Sequence, residues 1–305
     1  MADLRAILSL VLTLGLSAAG CAEASGDSAN GSITVVVSAY PLAHAAERVG
    51  GNAVSVTNLT PPGTEPHDLE LTPDDIEAIA TADVVVFIGG GFQPAVQEAV
   101  DADATGVTLD ALDGVDPPSA ADDRDGDRDE VADPHVWLDP MLYAELVDRV
   151  ASVLRSADPG SAGRYLDAAE AFRTQLEALD GDFRAGLADC DSRVLITNHA
   201  AFGYLAAAYD LEQRAISGFS PESEPDPAHI AELAAEAEAQ GVTTIFTEDL
   251  VSPEVAETLA AEAGISTARL SPLEGLTDAQ EANGEDYLSV MRTDLETLRD
   301  GLGCI

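Results

Sequence analysis

Three of the five histidines in this 305-residue chain stand where a strand or a turn is expected to end. His67 follows the turn-forming run Thr60-Pro-Pro-Gly-Thr-Glu-Pro, His135 lies in Asp-Pro-His-Val-Trp-Leu-Asp-Pro, and His199 follows Ile-Thr-Asn. Neutral imidazole is a borderline ligand, and three imidazoles suit Zn²⁺. The competing interpretation is that each histidine is structural or on the surface, and spacing alone favours neither. His44 and His229 fall on predicted helices and are expected to bind no metal.

Short β-branched runs alternate with longer Ala- and Glu-rich amphipathic runs, which is typical of an α/β fold. The predicted strands are 33–38, 53–59, 83–89, 193–197, 243–246 and 265–270. The predicted helices are 41–49, a segment from Pro73, 140–155, 162–188, 227–240, a segment from Pro253, and 286–299. Two such lobes, each with a central sheet, leave a cleft between the carboxyl ends of their strands, where the metal site is expected.

One unusually long helix is expected to join the lobes. Apolar residues recur near a 3.6-residue period between about residues 162 and 188, at Tyr165, Ala169, Phe172, Leu176, Leu179 and Phe183. The predicted organisation is an N-terminal lobe at 33–159, a rigid linking helix at 160–189 and a C-terminal lobe at 190–305.

The first residues resemble a bacterial export sequence. Residues 1–20 carry one Arg, a short apolar run and small residues, which predicts a cleaved signal peptide. Cys21 follows at the position that is acylated in lipoproteins, and residues 21–32 read as a flexible tether. The alternative is an ordinary signal peptide with an incidental cysteine. The chain is therefore expected to lie outside the cytoplasm, anchored by lipid to the outer face of the cell membrane. Cysteines in such an oxidising compartment commonly pair, so Cys190 and Cys304 are expected to form a disulfide.

Charge excludes some partners. The chain has 56 acidic residues and 14 basic ones, all of which are Arg, for a net charge of −42. Such a chain repels nucleic acid and anionic lipid. The acidic segment 122–130 is expected to be a solvated loop, although its Asp spacing faintly resembles a calcium loop. The chain is expected to be a monomer.

The segments around the three histidines resemble the ligand motifs of the zinc and manganese ABC-transporter solute-binding lipoproteins, the cluster A-I metal-binding family. The resemblance rests on Pro-Pro-Gly-Thr-Glu-Pro-His67-Asp, Asp-Pro-His135-Val-Trp-Leu-Asp-Pro and Asn-His199-Ala-Ala-Phe-Gly-Tyr. It implies that the three histidines bind one Zn²⁺ ion, which is then delivered to a membrane permease. A third histidine, where manganese members often have Glu, resembles the zinc branch, although Mn²⁺ or Fe²⁺ is the alternative cargo.

The chain departs from the family at the fourth ligand. The family often supplies a carboxylate from a Leu-Asp-Pro-Leu turn, but this chain has Leu270-Ser271-Pro-Leu273. Water, Glu65, Glu248 and Glu274 remain open as replacements. Nearby, Trp137 is expected to pack beneath the His135 loop. Asp139 is expected to cap a helix, with orientation of His135 as a second role.

Other functions fit the sequence less well. A secreted zinc hydrolase also holds zinc with three ligands and an open position, but the chain has no His-Glu-x-x-His helix and no evident general base. The chain is therefore not expected to be an enzyme. An adhesin, a label often given to members of this family, needs a large aromatic or apolar patch, and only 5% of residues are aromatic. An organic-solute carrier needs aromatic or Arg groups that these motifs lack.

Overall fold

Two four-stranded parallel sheets organise the chain in the computed structural model, which describes residues 32–118, 132–221 and 226–305. The strands of the first sheet are β1 (Ile33–Val37), β2 (Val54–Asn58), β3 (Val84–Phe87) and β4 (Val107–Asp110), in the order β2-β1-β3-β4. Those of the second are β5 (Val194–Thr197), β6 (Glu212–Ala215), β7 (Thr244–Thr247) and β8 (Ser266–Arg269), in the order β6-β5-β7-β8. Each sheet thus changes winding direction between its two central strands, the point where open sheets place ligands.

Helices accompany both sheets, which confirms the predicted α/β class. They are α1 (Tyr40–Gly50), α2 (Pro73–Thr81), α3 (Pro94–Asp103), α4 (Pro140–Ala157), α5 (Ala162–Gly186), α6 (Gly203–Ala208), α7 (Pro227–Gln240), α8 (Glu254–Ala263), α9 (Asp278–Asn283) and α10 (Tyr287–Leu302). We refer to the first sheet with α1 to α4 as the first lobe, and to the second sheet with α6 to α10 as the second lobe.

Local sequence explains where several helices begin and end. Thr72 forms a capping box with Asp75 at the start of α2. Asp139 accepts backbone hydrogen bonds at the start of α4, and Asp226 does so at the start of α7. Gly241 ends α7 in the left-handed conformation that glycine adopts without strain. Each of these caps satisfies backbone groups that a helix end leaves without an internal partner.

The 25-residue helix α5 connects the lobes. At 1.5 Å per residue it is about 37 Å long. All six of its predicted apolar positions are buried, and the helix packs on α1 and α4 of the first lobe and on α10 of the second. One apolar stripe therefore serves both lobes.

The largest hydrophobic core crosses from one lobe to the other. It includes Val35 of β1, Leu146 of α4, Phe172 of α5, Leu195 of β5 and Leu298 of α10. Two smaller cores lie on the outer faces of the sheets, one under α2 and α3 and one under α7 and α8. The lobes are consequently joined by packed side chains as well as by the linking helix.

Two strands of the structure, β4 and β6, are not predicted from the sequence patterns. β4 and β6 are the outer strands next to β3 and β5, and they read Val-Thr-Leu-Asp and Glu-Gln-Arg-Ala. Edge strands have one unpaired side and tolerate polar residues, so they lack the apolar run that marks the central strands. The four residues of β3, β5 and β7 are all buried, as expected for central parallel strands.

Cys190 and Cys304 are bonded as a disulfide that closes a separation of 114 residues. It ties the C-terminus to the segment between α5 and β5. Cys21, the signal-peptide segment and the acidic segment 122–130 lie outside the described residues. Within the described ranges, no helix combines the length and apolar character needed to cross a membrane.

Candidate metal centre

His67 reaches the site from a short 3-10 turn, Pro66–Asp68, that follows β2. The Glu65 carboxylate accepts a hydrogen bond from the His67 backbone N–H at 2.9 Å. Phe92 packs against the edge of the imidazole, with 4.5 Å between ring centroids. The buried Gln93 amide donates to the Pro66 carbonyl at 2.9 Å. The ring is thus held by its own turn and by residues after β3, with Nε2 directed between the lobes.

His135 is fully buried at the start of the 3-10 turn Val136–Leu138, which leads into α4. Its backbone N–H and its Nδ1 both lie against one oxygen of Asp133, at 3.0 and 2.8 Å. Asp133, not Asp139, therefore orients the ring. The alternative role predicted for Asp139 is wrong, because its carboxylate is occupied by the Met141 and Leu142 backbone N–H groups.

His199 is the counterpart in the second lobe and follows β5. It is fully buried, and its Nδ1 lies 2.8 Å from the Glu248 carboxylate, which also accepts the His199 backbone N–H at 3.2 Å. Glu248 follows β7, the strand beside β5. The ring is therefore positioned at the switch point of the second sheet.

Glu274 meets all three rings. Its Oε1 lies 3.0 Å from Nε2 of His67, 2.8 Å from Nε2 of His135 and 3.4 Å from Nε2 of His199. Its side chain is 1% exposed, and Oε2 has no hydrogen-bond partner. Of the carboxylates left open by the sequence, Glu274 faces the three nitrogens, whereas Glu65 and Glu248 bond to the backbones of two of the histidines.

The distances suit a single tetrahedral ion. Ligand atoms of the three histidines and Glu274 all lie within 4.8 Å of one another. Two nitrogens that each lie about 2.0 to 2.1 Å from a tetrahedral zinc ion are about 3.3 Å apart. The Nε2 atoms of His135 and His199 are 3.4 Å apart. Three imidazole nitrogens and one carboxylate oxygen form a closed, borderline donor set, which fits zinc better than a hard cation.

Hydrogen bonds to carboxylates control the charge of the site. Burial alone lowers the pKa of His135, but its bonds to Asp133 and Glu274 raise the pKa above the usual value. Burial likewise opposes protonation of His199, yet the charge and hydrogen bond of Glu248, with a further contribution from Glu274, raise its pKa well above the usual range.

The pKa values of His67, Glu274 and Glu65 are shifted in different directions. Burial lowers the pKa of His67. It favours the neutral form of Glu274, but the bonds from the three rings hold the pKa of that carboxyl well below its usual value. Burial, followed by the neighbouring Glu274 charge, raises the pKa of Glu65 to about 8. Without metal, the neighbouring carboxylates therefore favour the protonated forms of His135 and His199, whereas burial favours the neutral form of His67.

The other two histidines, His44 and His229, lie away from this cluster. His44 is buried among the rings of Tyr143, Phe172 and Tyr287, with its Nδ1 3.3 Å from the Tyr143 hydroxyl. His229 bonds through Nε2 to the Ala215 carbonyl at 2.8 Å. Neither belongs to the cluster of possible metal ligands found among the described residues.

Sequence reasoning did not foresee that Asp133 and Glu248 orient the rings, although Glu248 was considered as a fourth ligand. Asp133 stands two residues before His135 and was visible in the Asp-Pro-His motif, where a short side chain can fold back onto the following N–H. Glu248 directly follows a β-branched strand. The sheet order that brings it beside His199 requires knowledge of the fold.

Two α/β lobes, with a cluster of side chains between them that could hold a metal ion, are the architecture of a solute-binding protein. Residues 35–301 match the family described as ZnuA, zinc-uptake complex component A, periplasmic, and the chain belongs to this family.

Individual relatives agree with this assignment. The zinc-binding protein AdcA of Streptococcus pyogenes serotype M3 is 35% identical over 289 residues, covering 89% of this chain and 56% of AdcA. The chain thus spans about half the length of that relative. The high-affinity zinc uptake system protein ZnuA of Bacillus subtilis is 32% identical and matches 92% of this chain and 91% of its own length.

Among solved structures, the laminin-binding protein Lmb of Streptococcus agalactiae superposes with a TM-score of 0.79. It is 30% identical and covers 88% of this chain and 99% of Lmb. That protein is described as bifunctional, with adhesin and metal-transporting activity. The relatives are therefore metal-binding or transport proteins, and the resemblance seen in the three histidine motifs is confirmed.

Proposed function

We propose that this chain is the extracytoplasmic binding component of an ABC-type zinc importer. It captures one Zn²⁺ ion with His67, His135, His199 and Glu274 and delivers the ion to a membrane permease. The observation that carries the proposal is the convergence of three Nε2 atoms and one carboxylate oxygen on one buried point between the lobes. The family match, as a zinc-uptake component, supports the same assignment.

A binding role fits this site better than catalysis. His135 and His199 are fully buried, and the side chains of His67 and Glu274 are 8% and 1% exposed. A hydrolytic zinc needs an open coordination position beside a substrate channel, but here a protein carboxylate stands at the fourth position. The family is a transport component, which agrees with the expectation that the chain is not an enzyme.

The proposal extends to the organisation of the chain. Residues 1–20 are a signal peptide, Cys21 is acylated, and 21–32 tether the protein to the outer face of the membrane. The lobes at 33–159 and 190–305, joined by the helix at 160–189, act as a monomer. Fatty-acid labelling of cells that express the full chain, with Cys21→Ala as control, tests the anchor; equal labelling of both proteins contradicts it.

Metal titration tests the central proposal. The protein from Ser32 onward is stripped of metal and titrated with Zn²⁺ and Mn²⁺ by calorimetry, beside a triple alanine variant of His67, His135 and His199. A His229→Ala variant is the matched control, because it removes an imidazole away from the site. Tight one-to-one zinc binding that only the triple variant loses supports the proposal. Absence of zinc binding to the intact protein, or tighter binding of Mn²⁺, refutes the zinc assignment.

A further inference from the structure

Trp137 lies directly against one of the proposed ligands. It is the only Trp in the chain, and it is fully buried in the 3-10 turn that follows His135. The two rings meet edge to face with 5.4 Å between centroids. The His135 imidazole is therefore packed directly against the indole.

The other side of the indole holds the loop that carries Glu274. Nε1 of Trp137 donates a hydrogen bond to the Pro272 carbonyl at 2.8 Å, two residues before Glu274. This bond runs from the first lobe to the second. The tryptophan thus contacts both a histidine of the first lobe and the loop that supplies the carboxylate.

The Glu274 loop needs such support, because its backbone is unusual. Leu273 has a φ of 54°, in the left-handed region that a leucine rarely adopts. Such a conformation persists only where surrounding contacts enforce it. The supporting contacts are the Trp137 bond to Pro272, a 3.0 Å bond from the Ser271 N–H to Asp294, and a 3.2 Å bond from the Leu273 N–H to the Ser271 hydroxyl.

Trp137 is itself fixed from the second lobe. The Tyr287 hydroxyl, at the start of α10, donates to the Trp137 carbonyl at 2.7 Å. The same α10 carries Asp294, which holds Ser271. One helix therefore anchors both the tryptophan and the loop that the tryptophan contacts.

We propose that Trp137 is a positioning residue that couples His135 to Glu274, so that the fourth ligand is presented only while the indole N–H holds the loop. The inference rests on the proposed zinc-binding function. Residues that orient metal ligands change affinity by roughly 10- to 100-fold when they are removed. Loss of the indole N–H should act within this range and should act through Glu274.

The primary experiment is zinc titration of Trp137→Phe, which keeps a buried aromatic ring and removes the donor. We expect the zinc dissociation constant to rise by about 10-fold or more. Tyr165→Phe is the matched control, because it removes one hydroxyl from a buried aromatic residue of α5 that bonds Asp158; its affinity should equal that of the unchanged protein. Absorption of bound Co²⁺ adds a direct reading of the ligand set, and the Trp137→Phe spectrum should match that of Glu274→Gln.

A double-mutant cycle separates positioning from general damage. If Trp137 acts through Glu274, adding Trp137→Phe to Glu274→Gln should weaken zinc binding by no more than about twofold. The inference is overturned if the two substitutions weaken zinc binding independently, so that their effects multiply in the double variant. It is also overturned if Trp137→Phe leaves the zinc affinity or the Co²⁺ spectrum unchanged. Absence of zinc binding to the unchanged protein refutes the proposed function instead.

A second substitution tests the inference if the Trp137→Phe variant does not fold. Because Trp137 is the only Trp, it can be replaced throughout the protein by β-(3-benzothienyl)alanine, in which sulfur replaces the indole N–H. This substitution keeps the shape of the ring system. It should produce the same rise in the zinc dissociation constant, and an unchanged constant overturns the inference.

Discussion

Zinc affinity should depend steeply on pH, because the pKa values of His135 and His199 are raised and zinc must displace the protons that these rings retain. His135 has Asp133 at Nδ1 and Glu274 at Nε2, and His199 has Glu248 at Nδ1 and Glu274 at Nε2. A carboxylate at each nitrogen favours a ring that donates from both. The pKa values of both rings are accordingly raised, even though burial alone lowers them.

The direction of the pH dependence of zinc affinity follows from these raised pKa values. The metal-free protein keeps each proton to a higher pH than an ordinary histidine does, while zinc requires the lone pair at Nε2. Below the raised pKa values, each proton released changes the binding constant by a factor of ten per pH unit, or about 1.4 kcal/mol. Two protons give about 100-fold, or roughly 2.7 kcal/mol, per pH unit. Burial lowers the pKa of His67, so this ring contributes less to proton release than the other two.

The structure therefore revises the pH range expected for loss of zinc. An ordinary histidine pKa of about 6.5 predicts that affinity falls below about pH 6. Because the pKa values of His135 and His199 are raised, the fall should begin at higher pH and level off only above those pKa values.

Calorimetry in buffers of different ionisation enthalpy measures directly how many protons are released when zinc binds. The slope of the observed enthalpy against the buffer ionisation enthalpy gives the number of protons released per zinc, which should approach two at pH 6. Glu248→Gln removes the charge beside Nδ1 of His199 and should reduce the number toward one. An affinity that is constant from pH 7 to pH 5, or a slope of zero, refutes the reasoning.

Two further perturbations test the support of the site and the stability of the fold. Asp133→Asn should weaken zinc binding by about 10- to 100-fold in a calorimetric titration, because a neutral amide replaces the carboxylate that orients and polarises His135. Removing the disulfide with the double variant Cys190→Ser, Cys304→Ser should lower the free energy of unfolding by roughly 4 to 5 kcal/mol, given the 114-residue separation. Scanning calorimetry of the metal-free protein should then show an unfolding temperature lower by on the order of 10 °C.

Each of these outcomes has a clear contrary result. Unchanged zinc affinity in Asp133→Asn contradicts the orienting role of that carboxylate. For the disulfide, equal unfolding temperatures of the unchanged protein with and without reductant, measured beside the double serine variant, contradict a stabilising bond.

The sequence predicts the fold where elements are strongly patterned. The β-branched runs of the central strands and the apolar stripe of α5 are local features, and the structure has them where they were expected. The edge strands β4 and β6 carry no such pattern, since half of their surroundings is solvent. Their place in the sheets follows from pairing with β3 and β5, which no short window of sequence contains.

One part of the candidate site can likewise be predicted from the sequence, and another part cannot. His67, His135 and His199 stand in motifs that suggest ligands from the sequence, and the structure brings them together with Glu274. Choosing Glu274 over Glu65 and Glu248 requires the left-handed turn at Leu273, which determines where the loop aims its carboxylate. That turn depends on contacts from distant parts of the chain.

The core shared by the two lobes determines how an ion can leave. If the lobes separated, Tyr287 of α10 would lose its packing against Tyr143 of α4, where the ring centroids are 4.3 Å apart, and each square ångström of apolar surface exposed costs about 25 cal/mol. The loop that carries Glu274 is held by hydrogen bonds and by the buried side chains of Leu270 and Leu273, so displacing it opens a smaller part of the core than separating the lobes. We therefore expect exit to begin with displacement of this one segment while the protein body stays rigid. Under the proposed function, zinc release then requires the docked permease to displace this loop.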